Sequence, residues 1–524
     1  MHIQINSGAV ERWGVFEAAV RGRADGNPFT DCHISGVFTG KNETVKVDGF
    51  YDGGGIYRIR FMPSFEGEYT YKIFGNFMCE GSDGGKGGGG GDSGDGGGGF
   101  LTGAFTATAP SAGNRGPVRV AHTWHFAYED GTPYYPVGTT CYVWTHQSTE
   151  MQEETLSTLK NGYFNKIRFC VLPKHYDYNF HDPITFPYEG TPCDNSGINK
   201  ENFMRHGPDS PGNKWDFKRF NPEHFRLIEN RIRELCEMGI EADIIVMHPY
   251  DRWGFSEMDA ECDDLYWKYV IARFSAYRNV WWSLANEYDL MRSKTLADWE
   301  RYASILCEKD PYNRLRSVHN CSSLYDFRQP WVTHCCIQLN GRALPLEKTD
   351  EWRRAYMKPV VVDEMVYEGN IEHGWGNISA KEMVRRFWEI TIQGGYAGHG
   401  ETYAHPEDKL WWSHGGKLHG ESPERIKFLR KILEESPSGG LNPVAYEYRT
   451  AASARAFDAP AYRIVYLGAT QPSYMYFHFD DVNSYEVEII DTWEMTIENI
   501  GVFAGRFRIE LPGKEYMALR IKRL

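Results

Sequence analysis

The chain has 524 residues, more than the roughly 250–300 that a single hydrophobic core sustains, so two or three domains are expected. A formal net charge of −14 excludes nucleic acid and anionic membrane as main partners, because both require clustered Lys and Arg. Aromatic residues make up 15%, including 16 Trp and 32 Tyr, a supply that suits sugar faces as well as large cores.

The opening segment "MHIQINSGAVERWG" has no basic stretch followed by an apolar run, and no window reaches the length of a membrane span. The 11 cysteines are odd in number and lack C-x-x-C spacing, which reads as packed thiols of a reducing compartment. A cytoplasmic location is therefore expected.

Residues 1–112 alternate apolar and polar side chains, as in "IYRIRFMPS" and "GEYTYKIFG", with Gly, Asn and Pro between the runs. That pattern predicts an immunoglobulin-like antiparallel sandwich. Within it, residues 81–99 hold 13 glycines in 19 positions, a composition that cannot bury a core and predicts a surface loop.

Between 113 and 437, eight short apolar runs are separated by helical stretches. They cover 134–140, 164–172, 240–248, 279–287, 315–320, 331–339, 358–364 and 394–401. Eight strands alternating with helices match a (β/α)8 barrel, and the Gly-rich first turn of a doubly wound sheet is missing. Two helices carry their own punctuation. One opens at Asn221-Pro222 and stops at Gly239; the other opens at Ser379 and stops at Gly394. Residues 438–524 return to alternating strands and predict a second antiparallel sandwich, giving a multidomain chain with a central barrel between two β domains.

In such a barrel, functional groups lie just beyond the strand C-termini. The run ends place there Trp144, Arg168, His248, Asn286, Glu287, His319, Gln338, Glu364 and Glu401. Glu287 and Glu364 end strands 4 and 7 and would face each other across the mouth. One carboxylic acid to protonate a leaving oxygen and one carboxylate to attack an anomeric carbon are what acetal cleavage requires. Trp375, Trp411 and Trp412, in loops after strands 7 and 8, are candidates to line a sugar subsite. His248 and His319 have no third ligand at short spacing, so no metal and no cofactor are expected there. Long loops at 173–220 and 402–421 would narrow the cleft to a pocket.

The motifs "GYFNKIR" (162–168), "LANE" (284–287) and "VVVDE" (360–364) resemble those of the large glycoside hydrolase clan that includes cellulases, β-mannanases and β-galactosidases. The resemblance implies Glu287 as general acid/base, Glu364 as nucleophile, Arg168 as the cation that keeps Glu364 ionised, and Asn286 as a partner of the sugar 2-hydroxyl. The clan's strand-6 His-x-Tyr is replaced by "THCCIQLN" with His334 and Gln338, leaving open what steadies the nucleophile. Over nearly the whole chain, "HTWHFAYEDGTPYYPVGTTCYVW" (122–144) and "DIIVMHPYDRWGF" (243–255) resemble the apiosidase-like or endoglucanase-like barrels of bacteria. That implies a retaining glycoside hydrolase acting on a β-linked oligosaccharide or glycoside. A transglycosidase on the same residues and a non-catalytic carbohydrate-binding protein are the alternatives, and homo-oligomerisation is left open.

Overall fold

The computed structural model describes residues 3–78, 99–339, 346, 348–406, 409–445, 447–448, 451–479 and 482–524. The predicted glycine-rich loop, 81–99, lies outside the described residues except for Gly99.

Eight parallel strands form the centre: β1 (Val137–Thr140), β2 (Lys166–Cys170), β3 (Glu241–Met247), β4 (Val280–Ala285), β5 (Arg316–Ser317), β6 (Cys335–Gln338), β7 (Val360–Glu364) and β8 (Tyr396–His399). Each neighbour in sequence pairs in space, and β8 returns to β1. Strands β5 and β6 are joined by a single parallel bridge, His319 with Cys336, which completes the barrel. Every residue of these strands is buried, as expected where helices cover the sheet.

The crossover helices are α1 (Thr149–Leu159), α2 (Pro222–Glu237), α3 (Ala260–Phe274), α4 (Leu296–Lys309), α5 (Lys348–Tyr356), α6 (Ala380–Ile392) and α7 (Ser422–Glu434). Asn221 and Ser379 cap α2 and α6 by accepting from the backbone N–H of Glu223 and Glu382. Gly239 and Gly394 follow these helices at φ +70° and +76°, the left-handed exit that glycine adopts without a Cβ penalty.

The N-terminal region is a four-stranded sheet packed on a five-stranded one around Phe16, Phe38, Phe61 and Phe105. Its pairings are antiparallel except that Ala9–Glu11 runs parallel to 106–108, a departure from the all-antiparallel expectation. At the other end, a six-stranded sheet and a two-stranded sheet (Tyr474–His478 with Arg506–Glu510) enclose Phe477, Val487, Ile509 and Leu519.

Candidate active site

A cavity of about 680 Å³ opens at the C-terminal ends of the barrel strands, lined by Glu287, Glu364, Asn286, Gln338, Trp375 and Trp412, among others. How the two glutamates reach it follows from local backbone geometry. After β4, the Asn286 N–H still donates to the Met247 carbonyl of β3, so Asn286 is held as a strand residue. Glu287 then turns away at φ +51°, ψ +57°. A non-glycine residue in this left-handed region is uncommon and tends to mark a functional position.

Strand β7 carries a bulge: Ile337 of β6 pairs with Val362, yet Gln338 pairs with Glu364, leaving Asp363 between them unmatched. Simple alternation would send Asp363 and Glu364 to opposite faces. The extra residue lets both turn toward the barrel axis. Asp363 bonds the Lys166 ammonium at 2.7 Å, shared with Asp243 at 2.6 Å, and accepts from the Cys336 thiol. Two residues beyond Glu364, Val366 lines the cavity at φ +62°, an outlier for a β-branched side chain.

The two carboxyls have different partners. Arg168 Nη1 lies 3.0 Å from Glu364 Oε1 and donates to Asn286 Oδ1 at 2.9 Å. The Tyr142 hydroxyl donates to Glu364 Oε1 and sits 3.1 Å from Asn286 Oδ1. Tyr142, two residues beyond β1, thus brings a phenol to Glu364 in a chain whose strand 6 has no His-x-Tyr. His334 instead packs edge-on against Phe126 and Trp281, away from the cavity.

Glu287 accepts from Tyr250 at Oε2 and from Gln338 Nε2 at Oε1, 2.9 Å. Burial, and then the charge of Glu364, raise its pKa above the ordinary carboxylate value, against the opposing pull of Tyr250, Lys174 and Gln338. The phenols of Tyr142 and Tyr250 are themselves pushed well up by burial and by the carboxylates beside them, so both remain donors. Lys174 presses its ammonium to 3.4 Å from the Tyr142 ring and 4.3 Å from that of Tyr250, a cation held by π faces.

Several residues predicted at the rim lie elsewhere. Trp144 is fully buried and meets Phe169 edge-on, because the chain turns into a short 3₁₀ segment after Tyr142. His248 bonds the Leu172 carbonyl at 3.1 Å, and burial lowers it to about 3. His319 stands behind Glu364, 3.9 Å from Oε1, and burial keeps it neutral. Trp411 donates to the Thr139 hydroxyl in the helix layer, and Glu401 accepts from the backbone of His419 and Gly420. None of these five lines the cavity. Sequence reasoning missed Tyr142, Lys174, Tyr176, Tyr250 and Tyr367, which do.

The long loops do narrow the mouth. Lys174 and Tyr176 come from the loop after β2, and Trp412 from the loop after β8, where it lies 4.9 Å from Trp375. Asp177 and His373, 2.5 Å apart, and Lys200 and Glu372, 2.6 Å apart, tie the loops after β2 and β7 together across the opening.

Comparison with known proteins places this architecture. Residues 121–437 match the model of the apiosidase-like catalytic domain. Residues 9–76 and 452–522 match two domains of unknown function, DUF5060 and DUF5605. Among solved structures, a candidate glycoside hydrolase from Bacteroides vulgatus is 34% identical, covering 98% of this chain and 100% of its own, with a TM-score of 0.87. A glycoside hydrolase family 5 protein from the same species, 16% identical over 78% of this chain and 93% of its own, has a TM-score of 0.59 and shares the fold. No curated protein matches the chain. The chain belongs to the apiosidase-like family, whose catalytic domain is its central barrel.

Proposed function

We propose that the protein is a retaining glycoside hydrolase that cleaves a β-glycosidic bond of a short oligosaccharide or glycoside. The observation that carries this reading is the unequal pair in one cavity: Glu364 ion-paired to Arg168, and Glu287 with its proton affinity raised by burial and by Glu364. In the first step, Glu364 attacks the anomeric carbon while Glu287 gives its proton to the departing oxygen, leaving a glycosyl ester on Glu364. In the second, Glu287 takes a proton from water, whose oxygen attacks the same carbon and releases Glu364. Asn286, fixed between Arg168 and Tyr142, is placed to bond a sugar hydroxyl, and Trp375 and Trp412 offer ring faces to the sugar. The enclosed mouth favours short or terminal substrates over long polymers.

An aryl β-glycoside panel tests this, with the product anomer read by NMR before mutarotation. The first-formed sugar is expected to keep the β configuration. Glu364→Gln is expected to lower the rate by about 10⁴-fold, or roughly 5 kcal/mol of barrier. A first-formed α anomer, or a Glu364→Gln rate near wild type, overturns the assignment.

A further inference from the structure

Behind the cavity, three buried side chains meet without neutralising one another. Glu368 and Glu401 pair across a short parallel ladder just beyond β7 and β8. His399, the last residue of β8, aligns with Thr139, one residue before the inward-facing Thr140–Arg168 level, so it projects away from the barrel axis. All three are at most 1% exposed, and one nitrogen or oxygen from each lies within 4.8 Å of the others.

Hydrogen bonds do not account for the arrangement. His399 bonds neither glutamate: Nδ1 meets the Thr139 hydroxyl at 3.1 Å and Nε2 is buried with no partner. Among the described residues, no Lys or Arg is ion-paired with Glu368 or Glu401. Their partners are the hydroxyl of Tyr403 and four consecutive N–H groups, His419 and Gly420 to Glu401 and Glu421 and Ser422 to Glu368, at 2.5 to 3.2 Å. The loop lies so close that a Cβ on Gly420 would stand 2.5 Å from the Glu368 carboxylate. Partial charges from amides are weak compensation for two acidic side chains buried side by side with no paired Lys or Arg.

Atoms too far apart to hydrogen-bond can still ligate one ion. Ligands about 2.0–2.2 Å from a common centre stand roughly 3.3–3.6 Å from one another in a tetrahedral set, so these three need close in only slightly from the 4.8 Å that bounds them. We propose that Glu368, His399 and Glu401 bind one divalent transition cation of the zinc class, with water completing the coordination sphere. The imidazole argues against Ca²⁺ and Mg²⁺, which prefer all-oxygen sets. None of the three residues lines the catalytic cavity, so the ion stands apart from the glycosidase reading. It fastens the exits of β7 and β8 to the segment that opens α7.

The test uses the full chain, stripped with chelator and dialysed against Zn²⁺, with bound metal counted by mass spectrometry and unfolding followed by calorimetry. Wild type is expected to retain one zinc per chain and to unfold at a temperature that rises with Zn²⁺ concentration. His399→Phe keeps a ring against Phe164, on which His399 now stacks, and removes the nitrogen. It is expected to lose both the zinc and the shift. Glu401→Gln, nearly isosteric, serves as the second variant should the first not fold, with the same losses expected. The proposal is overturned if stripped wild type takes up no stoichiometric zinc, or if a folded variant retains it.

Discussion

Two of the places where this molecule buries charge compensate it in opposite ways. Where the N-terminal sandwich meets the barrel, Arg60 and Arg273 share Glu229 at 2.5 and 2.6 Å, and Arg273 reaches Asp52 at 3.0 Å. Asp52 also takes Arg58 and Arg226, and Arg60 also takes Glu17, so Glu229 and Asp52 each have more than one guanidinium partner. Burial alone would raise Glu229, yet Arg273 and Arg60 overcome it and hold its pKa down at about 2. At the barrel mouth, two carboxyls face each other, Glu287 gains proton affinity, and Lys174 rests on rings. A buried charge is thus weak evidence of function by itself. The informative sign is a pair whose environments pull its members apart.

The interface side of this contrast breaks most visibly with Glu229→Gln. It leaves two buried guanidiniums short of a counter-charge and is expected to cost about 3–5 kcal/mol of stability, with kcat/KM unchanged. Because Glu229 titrates at about 2 when folded and near its ordinary 4.5 when unfolded, its contribution is complete above about 4.5 and lost as pH falls toward 2. Denaturation between those pH values should therefore weaken wild type and leave Glu229→Gln comparatively flat.

At the mouth, Tyr142→Phe removes the phenol on Glu364 and is expected to lower kcat by about 10- to 100-fold, the worth of a hydrogen bond to a charged group, with little change in unfolding temperature. The smallest effect is expected from Tyr250→Phe. The Tyr250 hydroxyl favours the ionised form of Glu287, so its loss raises the pKa of the acid further. The alkaline limb of the kcat/KM profile, where Glu287 loses its proton, should then move upward; a downward move refutes its placement as the acid.

Much of the frame was legible in the sequence because periodicity and caps are local. Eight apolar runs, Asn221-Pro222 and Ser379 announce strands and helices directly. Asn286, Glu287, Gln338 and Glu364 could be placed at one rim by counting to the strand ends, and Trp375 and Trp412 by the loops that follow strands 7 and 8. The rest depends on where a backbone bends. The β7 bulge turns Asp363 and Glu364 inward together, which alternation forbids. The turn after Tyr142 hides Trp144 and presents a tyrosine that reads, in a linear string, like any packing aromatic. His248 and His319 look functional in sequence and are bonded to, or buried among, their neighbours, while Glu401 lies off the cavity with Glu368 and His399. Lys174 gives no local signal, since its role arises from four rings brought together from three loops and a strand end.

The lone bridge between His319 and Cys336 gives the barrel a seam. Among the described residues, seven neighbouring strand pairs are held by ladders of two or more residue pairs, whereas this eighth junction has one, supplemented by bonds of Thr333 with Arg316, Ser317 with His334 and Asn320 with Gln338. Opening of the cylinder is expected first at this joint, where side-chain bonds stand in for a backbone ladder. Cys321, beyond β5, and Gln338, the last residue of β6, both border the cavity. A cylinder that yields first along this line widens its mouth beside Glu287 while Arg168, Tyr142 and Glu364 stay anchored on the firmer staves.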